Sequence, residues 1–292
     1  MELWFWAVVG ATILGGIGNF ILKIAAVRGY GGGLFTFYGS LMPTLLIFGV
    51  ALYMSNNILF SLIGFSLSFL NGLLGASSNI LKVLALRYID TTIYFPLFKI
   101  LAPLLVTVAG LFVFNESLSV KETIGLLICI CIPLFFVGKA ERKRQLDLKR
   151  GLLLILATAI ISVVGASLTK YVIVVWAEPL WLLVATGAGS IIGSVCGIVF
   201  KEKRDVFTRH YWLKSDKGLI VWSTAWGLLM VFSALLIFVA YLNSGGLIIV
   251  YAINSLNFVI PIILAVIIYK EHIDIQKASA IFLSIVALGL LG

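Results

Sequence analysis

The sequence predicts an all-α integral membrane protein of ten transmembrane helices, arranged as two inverted five-helix repeats. Three observations carry this reading. Of the 292 residues, 62% are hydrophobic and only 11% are charged, against about 25% charged in an ordinary soluble domain. The apolar residues fall in continuous runs of about 20, the length that spans a bilayer as a helix, and not in the short alternating segments of a membrane β-barrel. The chain also matches itself five runs further on.

Taken in order, the spans are expected near 4–27, 33–54, 58–87, 91–114, 118–139, 151–175, 178–200, 217–242, 246–268 and 273–291. The first follows Glu2 directly, with no basic segment before it, so it reads as a permanent span and not as a cleaved signal. Its Gly10, Gly15, Gly16 and Gly18, like Gly187, Gly189, Gly193 and Gly197 of the seventh, allow close helix contact. The fourth and fifth spans meet at the short turn Asn115-Glu116-Ser117, the ninth and tenth at Lys270-Glu271-His272-Ile273-Asp274. Long polar stretches occur only at 139–150 and 201–217. The first of these divides the chain into a repeat over 1–139, a basic linker over 140–150 and a second repeat over 151–292. Trp4, Trp6, Trp176, Trp181, Trp212 and Trp222 stand near span ends, as interface anchors do. Cys129, Cys131 and Cys196 lie inside apolar runs and read as small buried hydrophobes. No disulfide, metal site, catalytic constellation or cofactor is expected.

The internal match is specific. At a shift of 155 residues Ser68 meets Ser223, Ser78 meets Ser233, and Phe114-Asn115-Glu116 meets Tyr269-Lys270-Glu271. Near the front of each half, Gly18-x4-Lys23 meets Gly165-x4-Lys170 at a shift of 147. Because five is odd, two five-span halves in one chain insert with opposite orientation.

The stretches from Tyr94 to Gly125 and from Tyr251 to Ala280, with Ala85-Leu86-Arg87-Tyr88, resemble the EamA-like family of the drug/metabolite transporter superfamily. In each stretch a Glu-Ser-Leu-Ser or Glu-His-Ile-Asp element joins the fourth span of a repeat to a small-residue fifth span. The resemblance covers the whole chain. It implies a ten-helix carrier without ATP use, and it leaves the cargo open, since relatives move amino acids, drugs, choline, nucleotide sugars, triose phosphates and lipid-linked sugars. One departure stands out. Many relatives carry a proline in the fourth helix of each repeat, whereas Pro103 and Pro261 do not align at the 155 shift, so the two halves are expected to bend differently. Inverted repeats of this kind place a substrate site near the midplane, between the repeats. No Walker-type loop is present.

Charge sets an expected orientation. The odd-numbered loops carry Arg28, Arg87, the two long basic stretches, Lys270 and Lys277, and the even-numbered loops only Lys121. The positive-inside rule puts the odd loops in the cytoplasm and both termini outside, as a multi-pass protein of the cell membrane. Many relatives have cytoplasmic termini, so charge and resemblance conflict here, and the charge count is followed. The net charge of +9 then needs no nucleic-acid partner, since these loops face an anionic leaflet.

Ionisable groups inside a bilayer cost at least about 2.5–3.5 kcal/mol each, so they point to function. Four lysines qualify, Lys23, Lys82, Lys99 and Lys170, and no carboxylate lies mid-span. Lys99 is the deepest, about 12 Å into the fourth span at 1.5 Å per residue, and Asn254 is its mate at the 155 shift. Asn254 and Asn257 stand one turn apart on a shared face. Asn19, Asn71, Asn79, Ser78 and Ser233 are further polar groups at depth, suited to gluing helices or lining a path. This set points to a small-molecule substrate with an anionic or phosphate-bearing group, bound by Lys99 with Asn254 and Asn257 and flanked by Lys82 and Lys23. A rival reading makes Tyr94, Trp226 and Tyr251 an aromatic wall for amino acids or organic cations. A third is a membrane scaffold that transports nothing. Oligomeric state is not legible.

Overall fold

The computed structural model describes residues 2–28, 30, 32–54, 61–85, 91–133, 148–176, 178–202, 217–243, 245–269 and 275–292. Among them the regular elements are all helical. They are α1 (Leu3–Val27), α2 (Gly32–Met54), α3 (Leu62–Ala85), α4 (Thr91–Val113), α5 (Val120–Cys131), α6 (Leu148–Trp176), α7 (Pro179–Glu202), α8 (Lys217–Leu242), α9 (Leu247–Ser255), α10 (Val259–Tyr269) and α11 (Ile275–Leu291). Five of them, α1, α2, α6, α7 and α8, are each long and apolar enough to cross a membrane. Leu45, Leu46, Phe112, Val221, Phe232 and Phe282 point outward and are more than half exposed. A soluble monomer rarely leaves so many large apolar groups uncovered, whereas hydrocarbon accommodates them.

Helix ends fall within a few residues of the expected spans, with two differences. The fifth run gives a helix only to Cys131, followed by a short 3₁₀ turn, and 134–139 lies outside the described residues. The ninth, expected as one helix over 246–268, is interrupted. α9 stops at Ser255, Leu256–Phe258 form a 3₁₀ turn, and α10 resumes at Val259. Pro261 has no N–H to offer the carbonyl of Asn257, four residues earlier. That alone does not break a helix here, since Pro43 lies inside the continuous α2 and Pro103 inside the continuous α4. Gly16 of α1 packs so tightly on this turn that a methyl group in its place would stand 2.7 Å from the Asn257 carbonyl oxygen. Beside it the Thr12 hydroxyl donates to the Ile253 carbonyl at 3.3 Å. The loosened backbone of the break is thus held by α1.

The helix contacts come in pairs. α3 packs on α7 and α8 packs on α2; α6 packs on α3 and α1 on α8; α4 packs on α6 while α9 and α10 pack on α1. α2 meets α7, α5 meets α11, and α4 meets α9. Some of the glycines that permit close contacts also stand at matching positions. A Cβ on Gly72 would strike the Thr186 carbonyl oxygen of α7, and one on Gly227, 155 residues later, would strike the Gly39 carbonyl oxygen of α2. Gly165 of α6 faces Asn71 of α3, where a Cβ would come within 2.9 Å of the amide oxygen. Gly18 of α1 faces Trp226 of α8, with a Cβ 3.4 Å from the ring. Buried Ser68 and Ser223 occupy matching places on α3 and α8.

Backbone-on-backbone contacts cannot yield as a side-chain tip can. Gly72→Ala and Gly227→Ala are each expected to lower the stability of the detergent-solubilised protein by about 1–3 kcal/mol. Gly49→Ala, where a methyl group meets nothing within 4 Å, is expected to stay within about 0.5 kcal/mol of wild type. Thermal unfolding of the three variants measures this; equal melting temperatures for Gly49→Ala and Gly72→Ala would remove the need for the close α3–α7 approach.

Candidate functional site

α1, α3, α4 and the α9 break enclose a cavity of about 190 Å³. Asn19 enters it from α1, Lys82 from the last turn of α3, and Phe98, Lys99, Ala102 and Pro103 from α4. Tyr251, Asn254 and Ser255 enter from α9, and Asn257 from the 3₁₀ turn. Its described lining thus holds two ammonium groups, three carboxamides and no carboxylate. The volume is below the roughly 300–1,000 Å³ of drug-sized pockets, so the site in this conformation suits a compact group.

Lys99 spans the cavity. Its Nζ donates to Oδ1 of Asn257 at 2.7 Å. The two partners occupy equivalent local positions, because Pro103 follows Lys99 by four residues and Pro261 follows Asn257 by four. Each therefore has a backbone carbonyl that lacks its usual i+4 donor. The 155 shift pairs Lys99 with Asn254, but the direct contact and the prolines pair it with Asn257. α9 also ends here. The carbonyl end of α9 carries a partial negative charge and the start of α10 a partial positive one, so the break presents both signs near Asn257, and no acid among the described residues lines the cavity. Opposite, Gly15 leaves room for the carboxamides. A Cβ there would lie 3.6 Å from Nδ2 of Asn257 and 3.9 Å from Oδ1 of Asn254.

A second polar cluster lies at the other end of α9. α4 stops at Val113, and Asn115 takes a left-handed conformation with φ of 51°, which asparagine tolerates better than most residues. The chain then folds back, and the Glu116 N–H donates to the Gly110 carbonyl at 3.0 Å. This turn aims the Glu116 carboxylate inward. It accepts from the Leu247 N–H at 2.5 Å and the Ile248 N–H at 2.9 Å, the first turn of α9. It also forms an ion pair with Lys170 of α6, whose ammonium lies 4.9 Å from the centre of the Phe114 ring. α9 has Gly246 as its N-cap and no side-chain cap of its own. Glu116 supplies one from a distant turn.

Of the eight residues expected at a site, five line the cavity, namely Lys82, Lys99, Tyr251, Asn254 and Asn257. Tyr94 does not. It is fully buried in a cluster with Ala85 and Ile155 and stacks on Phe98 with centroids 6.0 Å apart. Trp226 does not either. It packs against Phe35, Ile21 and Leu219, with Gly18 and Gly39 making room for its ring. The side chain of Lys23 lies outside the described residues. So do the stretches 139–147 and 203–216, on which the expected orientation rests, together with Glu271. Of the other polar groups, Asn71 donates to Thr169 Oγ1 at 2.8 Å, Ser78 meets Ser162 at 3.3 Å and Ser233 donates to the Ala11 carbonyl at 3.0 Å. These three join helices to one another. Glu116, which the sequence places only at a turn, caps α9 and pairs with Lys170; its signal was a lone acid in a very short connection after an asparagine.

No protein-family model matches the chain, and no curated protein sequence matches it. Among solved proteins, one crystal structure superimposes with a TM-score of 0.74 over 98% of this chain and 97% of that one, at 15% sequence identity. The whole-chain fold is therefore shared with a protein solved by crystallography.

Removing one member of a buried ion pair strands the other. Glu116→Gln is expected to destabilise the protein by about 3–5 kcal/mol, and adding Lys170→Met to recover much of the loss. A double-mutant cycle on thermal unfolding measures the coupling. Strict additivity of the two substitutions would show that the pair does not hold α6 to the α4–α5 turn.

Proposed function

We propose that the chain is a membrane transporter of ten spans, built from two inverted five-helix repeats over 1–139 and 151–292. It moves a small anionic or phosphate-bearing metabolite, or a lipid headgroup of that kind, by alternating access. The observation that carries this reading is the cavity between α3, α4 and the α9 break, where Lys82 and Lys99 face carboxamides and no described carboxylate. Two ammonium groups at such a depth are costly unless something anionic meets them, and lysine holds phosphate or carboxylate as a point charge. The paired helix contacts and the glycines at matching positions support the repeat. The outward apolar faces support the bilayer as its setting. The resemblance to the EamA-like family of the drug/metabolite transporter superfamily points the same way. On this reading Lys99 binds the anion, Asn254 and Asn257 complete the site, and the interrupted ninth span gives one repeat a joint beside the ligand.

The aromatic-wall reading keeps only Tyr251 of its three residues at the cavity. A scaffold that moves nothing gives two lysines inside the bundle no task.

The test is a thermal-shift panel of phosphorylated sugars, organic acids, amino acids and quaternary ammonium compounds on the purified protein. A ligand bound only by the folded state, at a hundredfold excess over its Kd, adds about 2.7 kcal/mol of stability. An anion is expected to stabilise wild type and to lose that effect in Lys99→Gln, with uptake of the same anion into proteoliposomes lost in parallel. Stabilisation by amino acids or cations alone, or an anion effect untouched by Lys99→Gln, would overturn the reading.

A further inference from the structure

We propose that the cavity selects a doubly charged anion, a monosubstituted phosphate in its dianionic form, over singly charged anions of the same size. The inference rests on the anion-carrier reading and narrows it. Lys82 arrives from the end of α3 and Lys99 from the middle of α4, and both reach one cavity of about 190 Å³. Among the described residues Lys99 has one partner there, the neutral carboxamide of Asn257, and Lys82 has none. The charged partner that other buried lysines use is present elsewhere in this protein, since Lys170 meets Glu116. At the cavity that solution is not used among the described residues. A singly charged ligand leaves one ammonium uncompensated in a low-dielectric space; a doubly charged one neutralises both. Asn19, Asn254 and Asn257 provide carboxamide N–H groups for the remaining oxygens. The volume accepts a phosphate with a short substituent, and not a nucleotide.

A soluble phosphate ester and a lipid monophosphate present the same group, so the chemistry of recognition is common to both. The experiment compares methyl phosphate, methyl sulfate and inorganic sulfate by ligand-dependent thermal stabilisation of the wild-type protein. Methyl phosphate loses its second negative charge near pH 6. Its apparent Kd is therefore expected to rise about tenfold between about pH 7.5 and about pH 5. Inorganic sulfate stays doubly charged over that range, so its Kd is expected to hold steady. Methyl sulfate, singly charged throughout, is expected to bind weakly at both values. In Lys82→Gln the preference for methyl phosphate over methyl sulfate is expected to collapse; should that variant not fold, the wild-type series decides alone. Displacement of methyl phosphate by short-chain phosphatidate in nanodiscs, and not by phosphatidylcholine, assigns the lipid source. Binding without such displacement assigns the soluble one. Equal affinity for methyl phosphate and methyl sulfate, or a pH dependence shared by methyl phosphate and sulfate, overturns the dianion proposal while the anion carrier stands. Failure of all three probes, together with an anion-free thermal-shift panel, overturns both.

Discussion

The Glu116 carboxylate stands where three helices would otherwise have no polar reason to meet. The first N–H groups of any helix lack partners within it. At the start of α9 those of Leu247 and Ile248 are buried or nearly so, and Gly246 before them has no side chain. An unpaired donor in such a place costs as much as a lost hydrogen bond. Glu116 takes both, and its own charge is met by Lys170. One anion thus fixes the α4–α5 turn to α9 and to α6. Gly110 makes this possible, since a Cβ there would lie 3.1 Å from the carboxylate oxygen.

The same short helix has a charge at each end. Glu116 lies at the amino end of α9 and Lys99 beside its carbonyl end, the arrangement that a helix dipole favours. Nine residues at 1.5 Å each put the two about 13 Å apart. Neither end is covalently continuous with what it touches, because Glu116 and Lys99 both come from the α4 segment or the turn after it. α9 is therefore held along its length by α4 and along its flank by α1, whose glycines contact the break. A ligand that takes the Lys99 ammonium away from Asn257 alters the hold on one end of α9 and leaves the other latched.

Most of the fold was legible because the membrane imposes it. Backbone groups in hydrocarbon must be satisfied within a segment, so apolar runs of sufficient length become helices whose ends can be read to within a few residues. Matching positions such as Gly18 and Gly165 were legible, and each glycine does face a neighbouring helix closely. The interruption at Leu256–Phe258 was not. Pro43, Pro103 and Pro261 look alike in sequence, and close packing does not separate them either: Gly227 approaches the Gly39 carbonyl that Pro43 frees as Gly16 approaches that of Asn257, yet α2 runs on unbroken. Lys99, Asn254 and Asn257 were found from depth and spacing. Tyr94 and Trp226 pack away from the cavity that Lys99 lines, because depth alone does not say which face a residue takes. The position of Trp226 is occupied in the first half by Asn71, which bonds to Thr169, so the paired site is one of helix packing in both halves.

Matching positions along the chain do not by themselves make a site. What makes one is the difference between equivalent positions. Lys99 and Asn257 each precede a proline by four residues, yet one carries a charge and the other a carboxamide. Two lysines at these places would add a third charge beside Lys82; two asparagines would leave Lys82 as the one lysine in the described lining. With one of each, the lysine gains an oxygen partner within the bundle, and the carboxamide keeps its N–H group for other acceptors. Lys82 then adds a second charge from α3, whose counterpart helix α8 places Phe238 or Ile237 at that depth. Polarity in the cavity differs between matching positions, whereas Gly72 and Gly227 match as glycines packed on a neighbouring backbone. The first set gives the cavity its charge and the second brings helices into contact.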